Sequence, residues 1–148
     1  MIKTTRILFL NGVNLNMLGI RETDKYGYIT ISSIIADITE LYLPAGIEIE
    51  YFQTNSEYLL TDYVHQTYRY IDYMVINPAG HTHTSIAIRD SLLAVNMSFI
   101  ELHISNIAAR EAFRHRSYFS DIATDVLVGF GFKAYYLVIK TIYRSFII

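Results

Sequence analysis

The chain has 148 residues, 52% of them apolar, with a formal charge of −2 and no cysteine. That length suits one domain, 1–148, burying roughly 68–70% of its unfolded surface. The composition excludes disulfides and thiolate metal sites, and the charge gives no reason to expect nucleic acid or another polyanion.

The apolar run Ile7–Leu10 is too short for a signal-peptide core, and no run approaches the ~20 apolar residues of a membrane span. A soluble cytoplasmic protein with no membrane partner is the expectation. Asn96-Met97-Ser98 matches a glycosylation acceptor. Without a secretory signal it reads as a chance match. Tyrosine occurs thirteen times, so no single one stands out on composition.

In chain order, Arg6–Asn11 reads as a strand ending in Asn-Gly. Residues 12–29 follow, a connection far longer than the two to six residues usual between strand and helix. It holds Asn14, Asn16, Arg21, Glu22, Asp24, Lys25 and Tyr26, with glycines at 12, 19 and 27. A polar, Gly-punctuated loop at a strand's carboxyl end reads as an active-site lid; the plain alternative is a surface excursion.

Thr30–Tyr42 spaces Ile31, Ile34, Ile35, Ile38 and Leu41 as a helix, stopped by Pro44-Ala45-Gly46. A strand over Ile47–Gln53 and a helix over Ser56–Tyr70 come next, then a strand over Tyr73–Asn77 and a helix over Thr84–Val95. Met97–His103 reads as a strand, Ala108–Arg116 as a short helix, Asp125–Phe130 as a fifth strand and Lys133–Tyr143 as a terminal helix. Strands alternating with helices imply βαβ units: an α/β protein with a parallel sheet covered on both faces.

Between the third strand and its helix lies Asn77-Pro78-Ala79-Gly80-His81-Thr82-His83-Thr84-Ser85. The crevice at the carboxyl ends of the strands is where open α/β sheets bind ligands, so a turn this rich in hydrogen-bonding groups is a functional signal. His81-x-His83, with His103, Glu101 and Asp90, could compose a zinc or iron site. The spacing is weak evidence, and hydrogen bonding is the preferred role of each histidine.

Glu101-Leu102-His103 is sharper, since residues i and i+2 of a strand share a face. A carboxylate beside an imidazole fixes its tautomer and raises its basicity, which prepares a general acid; a purely structural pair remains open. The Ile104-Ser105-Asn106 stretch then leads into the predicted helix, whose first amides suit an anion. Arg110 and Arg114, four apart, present either a solvated basic face or an anion-recognising one.

Gly129-x-Gly131-x-x-Ala134 imitates a dinucleotide fingerprint, but only residues 135–148 follow. That is too little chain for the second strand and its ribose-gripping acid.

Several of these stretches together resemble the type II 3-dehydroquinate dehydratases. They are Leu10–Gly19 with Arg21-Glu22 and Tyr26-Gly27, Gln53–Glu57, Asn77–Ser85 with Arg89-Asp90, Glu101–Asn106, Ala109-Arg110-Glu111 and Phe113-Arg114. They run in order along nearly the whole chain. Val13 stands where that family has proline, Tyr58 where glycine is common, and Ala108 where histidine is frequent.

The resemblance implies a flavodoxin-like three-layer sandwich with a five-stranded parallel sheet, and a dodecamer built as a tetramer of trimers. It implies loss of water from 3-dehydroquinate to give 3-dehydroshikimate, an anti elimination through an enolate, without metal or cofactor, in aromatic amino-acid biosynthesis. By the same resemblance Tyr26 is the base, Arg21 its activator, and Asn14 the holder of the water that stabilises the enolate. His103, oriented by Glu101, protonates the leaving hydroxyl.

Asn77 with Ile104 and Ser105 holds the carboxylate. His83, Arg114 and Asp90 hold the ring hydroxyls, with Asp90 coming from a neighbouring subunit, and Arg110 supports the site. A metal-dependent hydrolase and a catalytically silent binding module are the alternatives.

Overall fold

A computed structural model describes residues 4–145, with Lys25 and Tyr26 described by their backbone only. Strand β1 (Thr5–Asn11) leads through a 3₁₀ turn (Leu15–Met17) and a single helical turn α1 (Thr23–Tyr26) to helix α2 (Ile31–Tyr42). Then come β2 (Ile47–Gln53), α3 (Glu57–Thr67), β3 (Tyr73–Asn77), α4 (Ile86–Val95), β4 (Phe99–His103), β5 (Asp125–Val128) and α5 (Lys133–Ser145). All pairings are parallel and the strand order is β2-β1-β3-β4-β5. This is the α/β parallel sheet that the alternating pattern predicts, in the flavodoxin-like form that the family resemblance implies.

Helices α2, α3 and α4 each start on a hydroxyl cap. Thr30 accepts from Ser33 N at 3.2 Å, Ser56 from Leu59 N at 3.4 Å, and Ser85 from Ile88 N at 3.0 Å. Such caps satisfy amides that the first turn leaves without an intrahelical partner.

Alternation along the strands divides the core in two. Ile7 and Phe9 of β1, with Ile100 and Leu102 of β4, pack against Ile34, Ile38, Val138 and Ile139 of α2 and α5. Leu8, Leu10, Met74 and Ile76 pack the other way, against Leu60 and Val64 of α3 and Ile88 and Leu92 of α4. Burying one such side chain contributes about 1.5–3 kcal/mol. Glu101 and His103 alternate with Ile100 and Leu102, so they point to the α3/α4 side.

Two boundaries differ in a way that matters. The helix expected over Ala108–Arg116 is instead a pair of 3₁₀ turns, Ile107–Ala109 and Ala112–Arg114. Arg110 and Glu111 between them are extended (ψ −166° and 145°), and the Asn106 side chain caps the first turn at Ala108 N. Arg110 and Arg114 therefore share no helix face. Nor does Ile104-Ser105-Asn106 open onto a helix, and a three-residue turn supplies little of the dipole expected there.

The 12–29 connection also has internal structure. Leu15 and Leu18 are buried in the core, while Ile20, Tyr28 and Ile29 are exposed. The first half is thus a packed part of the domain. Gly19 divides the halves, with a φ of +86° and room for no Cβ, which would meet Tyr28 O at 2.7 Å.

Candidate active site at the strand ends

Three strand exits meet at one end of the sheet. Gly12 N, just past β1, bonds to Asn77 O at the end of β3 at 2.8 Å. The chains run so close that a Cβ on Gly12 would lie 2.2 Å from Pro78 O. Gln53 from β2 reaches across to Gly12 O at 3.2 Å, and Asn55 Oδ1 accepts from Asn14 N at 2.9 Å.

A cavity of about 260 Å³ opens at these exits. Asn14, Arg21, Asn77, His83, His103, Ile104, Ser105, Arg110 and Arg114 all line it, with Val13, Ala79 and Gly80 among the rest. Its backbone is strained: Asn14 (φ 66°) and Ala79 (φ 53°) are left-handed. That conformation costs roughly 1–2 kcal/mol for an L-residue and is eased for asparagine by its short polar side chain. Strain of this kind clusters at functional sites.

Beneath the cavity, Asn77 is held by two side chains far away in sequence. Its Nδ2 donates to Tyr135 Oη at 3.1 Å, and Tyr135 donates on to Asn11 Oδ1 at 2.6 Å. Asn77 Oδ1 also accepts from Ala79 N at 3.3 Å. Burial pushes the Tyr135 phenol up, so this hydroxyl stays a neutral donor.

Tyr135 lies one residue past the Gly129-x-Gly131-x-x-Ala134 stretch, whose glycines instead bind the exit of β4. Gly129 N donates to His103 O at 3.2 Å and Gly131 N to Ile104 O at 2.9 Å.

His103 Nε2 lies 2.6 Å from Glu101 Oε1, and both side chains are buried. Burial alone would raise the Glu101 carboxyl, but hydrogen bonds from His103, Ser117 and Ser120 outweigh it and hold it below its ordinary range. An ionised Glu101 accepts the hydrogen bond of Nε2–H, so in the acid form of His103 the proton on Nδ1 is the one available to the cavity. His83 Nδ1 is fixed by Arg116 O at 2.8 Å.

Arg110 and Arg114 both reach Glu111, at 3.7 and 2.8 Å. The shared carboxylate brings them together although no helix does. Arg21 is paired with Glu22 at 2.5 Å.

One expected site residue stands apart. Asp90 is exposed on α4 beside a separate depression with Arg89, Arg116, Tyr118 and Asp121. The Tyr26 side chain lies outside the described residues. Among the described residues no group of three or more histidine or acidic side chains gathers at metal-binding range. A larger groove of about 990 Å³ lies at the opposite strand ends, among Thr5, Ile47, Met74 and Phe99. Among the described residues its lining contains no histidine, arginine or lysine.

The family model Dehydroquinase class II matches residues 5–143. The chain belongs to the class II dehydroquinases. It is 53% identical to a 3-dehydroquinate dehydratase of Sodalis glossinidius, over 91% of this chain and 90% of that protein. It is 50% identical to one of Haemophilus influenzae, over 91% of each. Among solved structures, a type II dehydroquinase from Propionibacterium acnes superposes with a TM-score of 0.89 at 40% identity. That match covers 97% of this chain and 99% of the other.

Within this dehydroquinase fold, Asn11, Ser117, Ser120 and Tyr135 are site-supporting residues that sequence reading alone passed over. Tyr135 carried only the faint signal of adjoining a discounted glycine motif, and Ser117 and Ser120 carried none.

Proposed function

We propose that this protein dehydrates 3-dehydroquinate to 3-dehydroshikimate by a cofactor-free anti elimination, as a hydro-lyase of the shikimate pathway. The observation that carries this reading is one cavity, at the exits of β1, β3 and β4, lined by Asn14, Arg21, Asn77, His83, His103, Ile104, Ser105 and Arg114. Membership of the class II dehydroquinases and relatives named 3-dehydroquinate dehydratase support the same substrate.

The hydrogen removed lies α to a ketone, so the reaction needs a base and a stabilised enolate. Tyr26, as phenolate, takes that proton. A free phenol has a pKa near 10, and the guanidinium of Arg21, five residues earlier, favours the charged form. The electron pair moves into the enolate, whose oxygen is stabilised by a water held on Asn14. When the pair returns, the carbon–hydroxyl bond breaks and His103 donates the proton that makes the leaving group water. A proton passing from Tyr26 back to His103 resets both.

Asn77 with Ile104 and Ser105 binds the carboxylate, and His83 and Arg114 bind ring hydroxyls. Asp90 adds a contact from a neighbouring subunit in a dodecamer. Its exposed position outside the cavity of its own chain supports that assignment. The half of the 12–29 segment beyond Gly19 acts as the lid.

The test is an ultraviolet assay of enone formation from 3-dehydroquinate in the presence of chelator. Full turnover is expected. Activity lost to chelator and restored by zinc would overturn the reading in favour of a metal-dependent hydrolase. In the same assay Tyr26→Phe and Arg21→Ala should each lower kcat by about a hundredfold or more with little change in substrate binding, the signature of groups acting mainly on the transition state.

A further inference from the structure

Glu101 is fully buried at the end of β4, yet its carboxylate meets three donors. Oε1 accepts from His103 Nε2 and from Ser117 Oγ, each at 2.6 Å, and Oε2 accepts from Ser120 Oγ at 2.5 Å. Neither serine lines the cavity; both face the separate depression beside α4. We propose that Ser117 and Ser120 are positioning residues for the proton-donating step, holding Glu101 ionised and in the one orientation that presents His103 to the cavity through Nδ1. The inference rests on the reading of His103 as the general acid.

The hydrogen-bond directions support it. Ser117 Oγ accepts from Phe119 N at 3.0 Å and from Ser120 N at 3.2 Å. Its lone pairs are occupied, so its hydroxyl hydrogen is the group left to give, and it points at Glu101. A protonated Glu101 would need an acceptor, and with Ser117 donating at Oε1 and Ser120 at Oε2 none remains but an Nε2 without its proton. A half-satisfied buried carboxylate is costly, whereas one with its donors in place is rigid.

The segment carrying the serines is itself anchored. Tyr118 N donates to Thr82 O at 2.9 Å, and Arg89 of α4 clamps Asp121 through two bonds of 2.5 and 2.9 Å while donating to Tyr118 O at 2.7 Å. The same segment supplies Arg116 O to His83. One short stretch that does not line the cavity thus backs both cavity histidines.

Ser120→Ala is the clean variant, because among the described residues its hydroxyl bonds only to Glu101. Ser117→Ala also strips two backbone amides of their acceptor and is the secondary variant. Carboxylates that orient a metal-ligating imidazole typically account for about tenfold to a hundredfold of activity, and Ser120 acts through such a carboxylate, which sets that range as its upper bound. Ser120→Ala should therefore lower kcat by up to that factor, with KM within about twofold and Tm little changed. Ser120→Thr, which keeps the hydroxyl, should recover most of the loss.

Wild-type kcat in Ser120→Ala, alongside a His103→Asn variant that has lost turnover by orders of magnitude, would overturn the positioning role and leave the acid assignment standing. Turnover in His103→Asn itself would remove the acid reading, and this inference with it. A kcat loss that Thr fails to recover, accompanied by a fall in Tm, would mark a packing role and also overturn the proposal.

Discussion

Glu101 carries its charge on a side chain with no solvent-exposed surface. A carboxylate there is stable only because His103, Ser117 and Ser120 all donate to it. Its folded pKa is depressed below the ordinary ~4.3 of glutamate, which sets the sign of the pH effect. The ionised group contributes its stability in full above about pH 4.3, and that contribution falls away as pH drops through the lower folded value. Glu101→Gln should thus lower Tm at pH 7, with the gap to wild type narrowing below about pH 4. A gap of equal size at both pH values in thermal melts would contradict this account.

The i, i+2 spacing made the Glu101–His103 pair legible, because strand geometry needs only local sequence. The serines sixteen and nineteen residues downstream were not legible, because a loop brings them back without any period.

Elements, rather than residues, decide what the 12–29 segment does. Its length and glycines suggested a lid from sequence, and the fold divides it. Leu15 and Leu18 belong to the core, and Gln53 and Asn55 tie Gly12 and Asn14 to the exit of β2. Beyond Gly19, Ile20, Tyr28 and Ile29 expose apolar surface that closure over a ligand would cover.

Limited proteolysis should therefore cut between residues 20 and 29, and cutting should slow several-fold when a substrate analogue is bound. An unchanged cleavage rate would argue against closure. The region after β4 shows the opposite failure of sequence reading. Apparent helical spacing over 108–116 is broken by the extended Arg110 and Glu111, yet the two arginines converge on Glu111 and on the cavity.

At the scale of the whole molecule, the strand order places β1 and β3 side by side, and β4 next to β3. The exits of these three strands form the crevice where open sheets of this kind bind ligands. Asp90 lies outside that crevice in its own chain, and apolar residues such as Ile86, Leu93, Phe113 and Phe130 are exposed. A dodecamer would give both a role. Light scattering should return a mass twelve times that of the chain, and Asp90→Ala should raise KM. A monomer that turns over with an unaltered KM would refute the contribution from a neighbouring subunit.

Sequence by itself determined the βαβ alternation, the faces of the strands and helices, and the strand-end residues that touch the cavity. The alternation and the faces follow from periodicity, caps and turn chemistry within a few residues, and the strand-end residues follow from the family resemblance. Tertiary structure alone decided which distant groups hold them: Tyr135 of the last helix on Asn77, two serines on Glu101, and Arg116 on His83. Those contacts join positions up to 58 residues apart. They exist because buried polar atoms must find partners wherever packing leaves them, a demand that local pattern does not encode.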